Sequence, residues 1–330
     1  DLGDGTYTAT ITNTLAENVQ ISGTIDGNNI TSGNPSISFT PGTVSVSQTA
    51  ISVSPASVTA DGSTSSSITV QAKDAQGNNL SSSAGLVTMA EDSASATLSS
   101  VTDNNNGTYT ATMTNTVAED VVISGTIDGN SITSGNPSIS FVPGAVSAAQ
   151  TTISVSPASV TADGSSFSSI TVQAKDAQGN NLNSSAGLVT LAEDSASAIL
   201  SALTNNNDGT YSATISNTLA EDVVISGTID GNSITSGDQT ISFTPGAVSA
   251  SQTTISVSPA SVAADGLSQS NITVQAKDAQ GNNLSNSAGV VTLAENSASA
   301  VLSAVTDNNN GTYTATMTNT LAEDVVISGT

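Results

Sequence analysis

Hydrophobic and polar residues alternate with period two over short stretches, and each stretch ends in turn-forming residues. Ile51 and Val53 alternate with Ser52 and Ser54, which predicts a first strand. Pro55 cannot donate to a ladder, so it should break that strand at a sheet edge before Val58 and Ala60 resume it. After the turn Ala60-Asp61-Gly62-Ser63, Ile68, Val70 and Ala72 point inward and Thr69, Gln71 and Lys73 outward in a second strand over 66–73. Asp74–Asn79 is a polar turn with Gly77 available for positive φ. Strands follow over 86–90 and 97–101, the latter centred on Leu98. The run 108–115 has the clearest alternation, with Tyr109, Ala111 and Met113 on one face and four threonines on the other. Residues 121–127 are nearly continuously apolar, as in a central strand, and Asp128-Gly129-Asn130 then reads as a hairpin turn. A last strand over 138–142 turns Ile139 and Phe141 inward and stops at Pro143-Gly144.

Seven such strands in about 100 residues predict an all-β fold, an immunoglobulin-like β-sandwich. The pattern then repeats. Asp61, Asp163 and Asp265 recur every 102 residues, as do Tyr7, Tyr109, Tyr211 and Tyr313, so the chain of 330 residues is an array rather than one large domain. Its expected organisation is the C-terminal part of one repeat over 1–47, whole repeats over 48–149 and 150–251, and the N-terminal part of another over 252–330. The connection from Pro143 to Gln150 is short and uncharged, which predicts a linear rod with roughly 30–45 Å per repeat.

Only three lysines oppose 27 acidic residues, a net charge of −24 that disfavours nucleic acid and anionic membranes as partners. Cys, His and Trp are absent, so disulfides, thiolate chemistry and an ordinary zinc site are excluded. The remaining oxygen ligands suit calcium or magnesium. No apolar run approaches the ~18–20 residues of a membrane helix, so this segment has no direct membrane insertion of that kind.

The acidic turns are the candidate sites. In a sandwich, the turns at Asp61, at Glu91 and Asp92 and at Glu119 and Asp120 gather at one pole, and those at Asp74, Asp103 and Asp128 at the other. In tandem, one pole meets the opposite pole of the next copy, so carboxylates converge at junctions and a Ca2+ ion between them would relieve their repulsion. The candidate ligands are Asp61, Asp74, Glu91, Glu119 and Asp128, with Asp163, Asp176, Glu193, Glu221 and Asp230 in the next copy. The competing reading is ordinary solvated turns, and Asn205, Asn296 and Asn18 stand where other copies carry Asp103, Asp92 and Asp120. Lys73 beside Asp74 fits a surface ion pair of small weight. Without His there is no usual base for the many serines, and no enzyme is expected. Asn29, Asn79, Asn106 and Asn310 match a glycan-acceptor pattern that arises by chance in so Ser- and Thr-rich a chain.

The segment from Ile51 through the ADG turn to the KDAQGN turn, followed by NNGTYTAT, resembles the bacterial immunoglobulin-like domain of the invasin and intimin type. The GTYTAT strand and IDGN hairpin are also similar to the later strands of filamin-type modules. The resemblance covers every copy. It implies tandem modules of a large surface adhesin, extracellular at a bacterial surface, either secreted or anchored in an outer membrane. The expected role is a structural extender whose partners are its own neighbouring repeats. The alternatives are self-assembly with other copies into a filament through open edge strands, and weak host or glycan binding strengthened by avidity.

Overall fold

The computed structural model describes residues 1–330 as strands, turns and irregular segments. The chain divides into two compact units, Asp1–Ala145 and Val146–Thr330.

In the first unit, a sandwich forms from two sheets. One holds Ala50–Ser54, Ser66–Gln71 and Thr108–Thr114, with the short strands Thr97–Leu98 and Thr102–Asp103 along the far side of Thr108–Thr114. The other holds Val87–Glu91, Asp120–Ile127, Ser138–Val142 and Ser57–Thr59, plus Asn130–Ser131 in the hairpin. All pairings are antiparallel except Ser138–Val142 with Ser57–Thr59, which is parallel. The opening strand is thus cut at Pro55 into halves that join different sheets. Pro55 has no N–H to place in a ladder, and its carbonyl accepts the buried Ser66 hydroxyl at 2.7 Å.

The predicted inward residues form the core: Ile68, Val70, Ala72, Tyr109, Ala111, Met113, Ile139 and Phe141 are all buried. Three details differ from the sequence expectation. Asp120–Ile127 is buried on one face only, with Val121, Ile123 and Ile127 inside and Val122 exposed, so its apolar run still obeys the two-residue period. Leu86 is 71 % exposed and precedes its strand, its N–H held by Asp128 Oδ1 at 2.8 Å. The fourth strand breaks after Leu98 because the Ser99 hydroxyl, not a backbone carbonyl, accepts Thr112 N–H at 2.9 Å.

Residues 6–12 carry the same alternating pattern as Thr108–Thr114 yet form no strand, and Tyr7 is 74 % exposed. Nearby, Asn18–Gln20 pairs with Ser36–Ser38 and Thr24–Ile25 with Asn28–Asn29.

The second unit repeats the architecture. Thr152–Ser156, Ser168–Gln173 and Thr210–Ser216 form one sheet, and Val189–Glu193, Asp222–Ile229, Gln239–Thr244 and Ser159–Thr161 the other. A further copy pairs Thr254–Ser258, Ser270–Gln275 and Thr312–Asn319, and Leu293–Glu295 with Ile327–Gly329.

A buried tyrosine ties each sandwich to a loop that crosses its pole. Tyr109 Oη accepts Ala84 N–H at 2.6 Å and donates to Gly85 O at 3.0 Å, and Tyr211 and Tyr313 do the same with Ala186 and Gly187 and with Ala288 and Gly289. Tyr109→Phe should keep the ring packing and leave Ala84 N–H without its partner, lowering the stability of that copy by about 1–3 kcal/mol. Hydrogen exchange should show the loss in the core amides of residues 50–142, with the copies around Tyr211 and Tyr313 unchanged.

Candidate functional site at the junction of copies

The turn after the second strand is closed by its own backbone. Asp74 N–H donates to Asn78 O at 2.9 Å and Gly77 N–H to Asp74 O at 3.0 Å, with Gly77 at φ 87°. The Asp74 side chain folds into this turn and is only 2 % exposed. Its Oδ1 accepts Gln76 N–H and Asn78 N–H, each at 2.9 Å. Its Oδ2 accepts Asn78 Nδ2 at 2.9 Å and the backbone N–H of Gly42, in the preceding copy, at 2.9 Å. Four N–H donors therefore saturate a buried carboxylate. The expectation of a surface ion pair between Lys73 and Asp74 is corrected: Asp74 lies inside, and both of its oxygens are occupied by N–H groups.

Asn78 carries the contact further. Its Nδ2 also donates to Thr14 O at 2.9 Å, and its Oδ1 accepts Ala16 N–H at 3.0 Å. The side-chain amide thus pairs with the backbone of the preceding copy as another peptide group would. The connecting segment is held as well, through Ser45 N–H to Lys73 O at 2.7 Å, an isolated bridge between Val44 and Asp74, and Lys73 N–H to Thr49 Oγ1 at 3.2 Å.

The second unit contains the same arrangement. Fully buried Asp278 accepts Gln280 N–H at 3.0 Å, Asn282 N–H at 2.8 Å, and Asn282 Nδ2 and Gly246 N–H at 2.9 Å each. Asn282 Nδ2 donates to Thr218 O and Asn282 Oδ1 accepts Ala220 N–H, both at 2.9 Å. Asn78 and Asn282 were not among the residues expected to matter. The run DAQGNN is identical at 74–79, 176–181 and 278–283, but so are the ITVQAK before it and the leucine after it in each copy, so the repeat does not single the asparagine out.

The other candidate residues sit in self-contained turns. Asp61 accepts the backbone and hydroxyl groups of Ser63 and Thr64 at 2.6–2.9 Å. Glu91 accepts Ser93 N–H, and Glu119 Oε1 accepts the hydroxyls of Ser93 and Ser95 and Asn115 Nδ2. Ser93 therefore brings Glu91 and Glu119 together at one pole, and Gly62 N–H to Asn115 O at 2.9 Å adds the Asp61 turn to the same pole. Asp128, at φ 50° before Gly129 at φ 79°, holds the hairpin and Leu86 N–H. In the second unit Asp163 accepts from Ser165 and Ser166, Glu193 from Ser195 N–H, Glu221 from Ser195 and Asn217, Asp176 from Gln178 and Asn180, and Asp230 from Leu188. Nowhere do three carboxylates converge on one point.

At Asp74, Asp278, Asp61, Asp163 and Glu119 the donors favour the ionised form. The Asn78 amide and then Gly42 N–H hold Asp74 down at about 2, against the opposing effect of desolvation. At Asp278 burial is the largest single influence and acts upward, but the combined bonds from Asn282, Gly246 and Gln280 outweigh it and the carboxyl is lowered. The Thr64 hydroxyl lowers Asp61, Ser166 N–H lowers Asp163, and the Ser93 hydroxyl lowers Glu119.

A family model described as Invasin, domain 3, matches residues 45–144, 147–246 and 249–330. Among solved structures, FdeC, described as a broadly conserved Escherichia coli adhesin, is 20 % identical with a TM-score of 0.55, over 88 % of this chain and 94 % of that one. InvD of Yersinia pseudotuberculosis is 24 % identical with a TM-score of 0.49, over 86 % and 83 % of the two chains. Invasin, described as a bacterial integrin-binding protein, is 24 % identical with a TM-score of 0.47, over 85 % of this chain and 56 % of that one.

Acid should release the junction late. Asp74 is lower in the folded chain, at about 2, than the ~3.9 of a free aspartate, so its contribution is fully present above about pH 4 and is lost as pH falls through about 2. Hydrogen exchange at Gly42 N–H and Asn78 N–H, corrected for the intrinsic rate, should hold constant down to about pH 4 and then lose protection. Loss that begins above about pH 5 would contradict this assignment.

Proposed function

The chain belongs to the invasin domain 3 family, and on that premise we propose that it is a length of stalk in a bacterial cell-surface adhesin, projecting a separate binding domain away from the cell. The role is mechanical. The observation that carries this reading is the clamp of Asp74 and Asn78 on the backbone of the preceding copy, with its counterpart at Asp278 and Asn282. A flexible tether needs no such contact, whereas a spacer that keeps its length must resist bending where copies meet. The acceptors of the clamp are filled by N–H groups, so in this reading its stiffness does not require a cation. The proposed location, outside the cell at its surface, follows from kinship with proteins described as adhesins.

The sandwich topology supports the same role. The parallel pair of Ser57–Thr59 and Ser138–Val142 joins the beginning of the copy to its end. A pull along the chain loads Ser140 N–H to Ala56 O and Ala60 N–H to Val142 O, both 2.8 Å, in shear and together rather than one after another.

Two measurements test the stalk. In small-angle scattering of chains carrying increasing numbers of copies, the maximum dimension should grow by a constant increment per copy, whereas flexible links would give growth closer to the square root of copy number. Asn78→Ala with Asn282→Ala should weaken each altered junction by about 1–3 kcal/mol and shorten the maximum dimension, while a calcium chelator leaves the unaltered chain unchanged. Square-root growth, or no response to the double variant, would reject the clamp as the stiffening element. In single-molecule pulling, unfolding through the chain ends should need a higher force than pulling the same copy apart at Asp61 and Glu119, which share one pole, so that their strands peel apart one hydrogen bond after another.

A further inference from the structure

The turn before each tyrosine strand has the same geometry whether its third polar residue is Asn or Asp. Asn106 Oδ1 accepts Thr108 N–H at 3.0 Å and the Thr108 hydroxyl at 2.6 Å. Asn310 Oδ1 accepts the same groups of Thr312 at 3.0 and 2.6 Å. Asp208 Oδ1 accepts those of Thr210 at 2.9 and 2.5 Å. The threonine proton has a fixed direction, because each hydroxyl also accepts an amide at 2.9 Å, from Asn104, Asn308 or Asn206. Both bonds to Asn106 fall on Oδ1 and none on Nδ2.

The next residue must be glycine. Gly107 has φ 81°, and a Cβ there would lie 2.0 Å from Leu80 O; at Gly311 the corresponding atom is Leu284 O, also 2.0 Å away. Packing therefore fixes an Asn-Gly pair, the one sequence in which the following backbone nitrogen has no side chain to hinder its approach to the Asn carbonyl carbon. Asn106-Gly107 and Asn310-Gly311 are the two Asn-Gly pairs in the chain.

We propose that Asn106 and Asn310 are sites of spontaneous deamidation, promoted by the threonine that donates to their side-chain oxygen. Gly107 N gives up its proton to solvent base and attacks Asn106 Cγ. Negative charge develops on Oδ1, where Thr108 N–H and Oγ1–H already point, so they act as an oxyanion-stabilising pair. The tetrahedral centre collapses with loss of Nδ2 as ammonia, taking a proton from solvent, and leaves a succinimide. Water opens that ring to aspartate or isoaspartate. The net change is consumption of one water and release of one ammonia, with no oxidant or reductant. The aspartate product already exists in the chain: Asp208 keeps both bonds, and its carboxyl is lowered first by the Thr210 hydroxyl and then by Thr210 N–H, the behaviour of donors that favour negative charge on that oxygen. The fold accepts the product at this turn.

The test is peptide mapping by mass spectrometry of the full chain held at mildly alkaline pH and body temperature. Conversion should appear at Asn106 and Asn310 ahead of every other Asn, including Asn104 and Asn105 of the same turn. Thr108→Val, which removes the hydroxyl at nearly constant volume, should slow Asn106 several-fold and leave Asn310 as the internal clock. That effect is smaller than the ~10²–10³ of a donor lost from a water-excluded site, because this turn is exposed. Thr108→Ser should retain the rate. If the threonine served only to lock the turn, Thr108→Val would loosen it and speed Asn106. A faster or unchanged rate, or no preference for Asn106 and Asn310, overturns the proposal.

Discussion

A carboxylate taken out of water must have its lone pairs filled, and at Asp74 all the filling groups are N–H donors. Two come from the backbone of its own turn and set the loop. One comes from Asn78 and fixes that amide. The last comes from Gly42, across the junction. Removing any of them leaves a buried charge short of a partner, which is why the turn, the amide and the connecting segment hold together as one unit. Within each unit the contact of one copy with the next rests on this arrangement, and the sheets supply only the frame that presents it.

The strands were readable because their information is local. Alternation over 66–71 and 108–114 names the buried face without reference to anything distant, and the structure buries Ile68, Val70, Tyr109 and Met113 as expected. What alternation cannot express is partner choice. Pro55 announced a break, but not that the two halves of the opening strand belong to different sheets. The candidate site was half legible. The sorting of acidic turns to two poles follows from topology and agrees with the contacts that group Asp61, Glu91 and Glu119. Topology placed Asp74 at a junction, but not that N–H donors, one of them from the preceding copy, fill both of its oxygens, and Asn78 looked like filler because an amide that mimics a peptide group has no distinctive sequence signature.

Acidic residues here act mainly as acceptors for hydroxyls and backbone amides. Asp61, Glu119 and Asp163 each terminate a turn rich in Ser, Thr or Asn, and the donors favour the ionised state. This suits a chain with 9 % charged and 2 % aromatic residues, in which small polar side chains brace the loops over a light aliphatic core.

The groups that Asn78 and Asp74 touch in the preceding copy are Thr14 O, Ala16 N–H and Gly42 N–H, all of them main-chain atoms. Such a contact is indifferent to which side chains its neighbour carries. Copies can therefore diverge, be lost by recombination or be duplicated without creating a mismatched joint, provided the DAQGN turn survives in each. Gain or loss of a module therefore demands no compensating substitution at a joint of this kind.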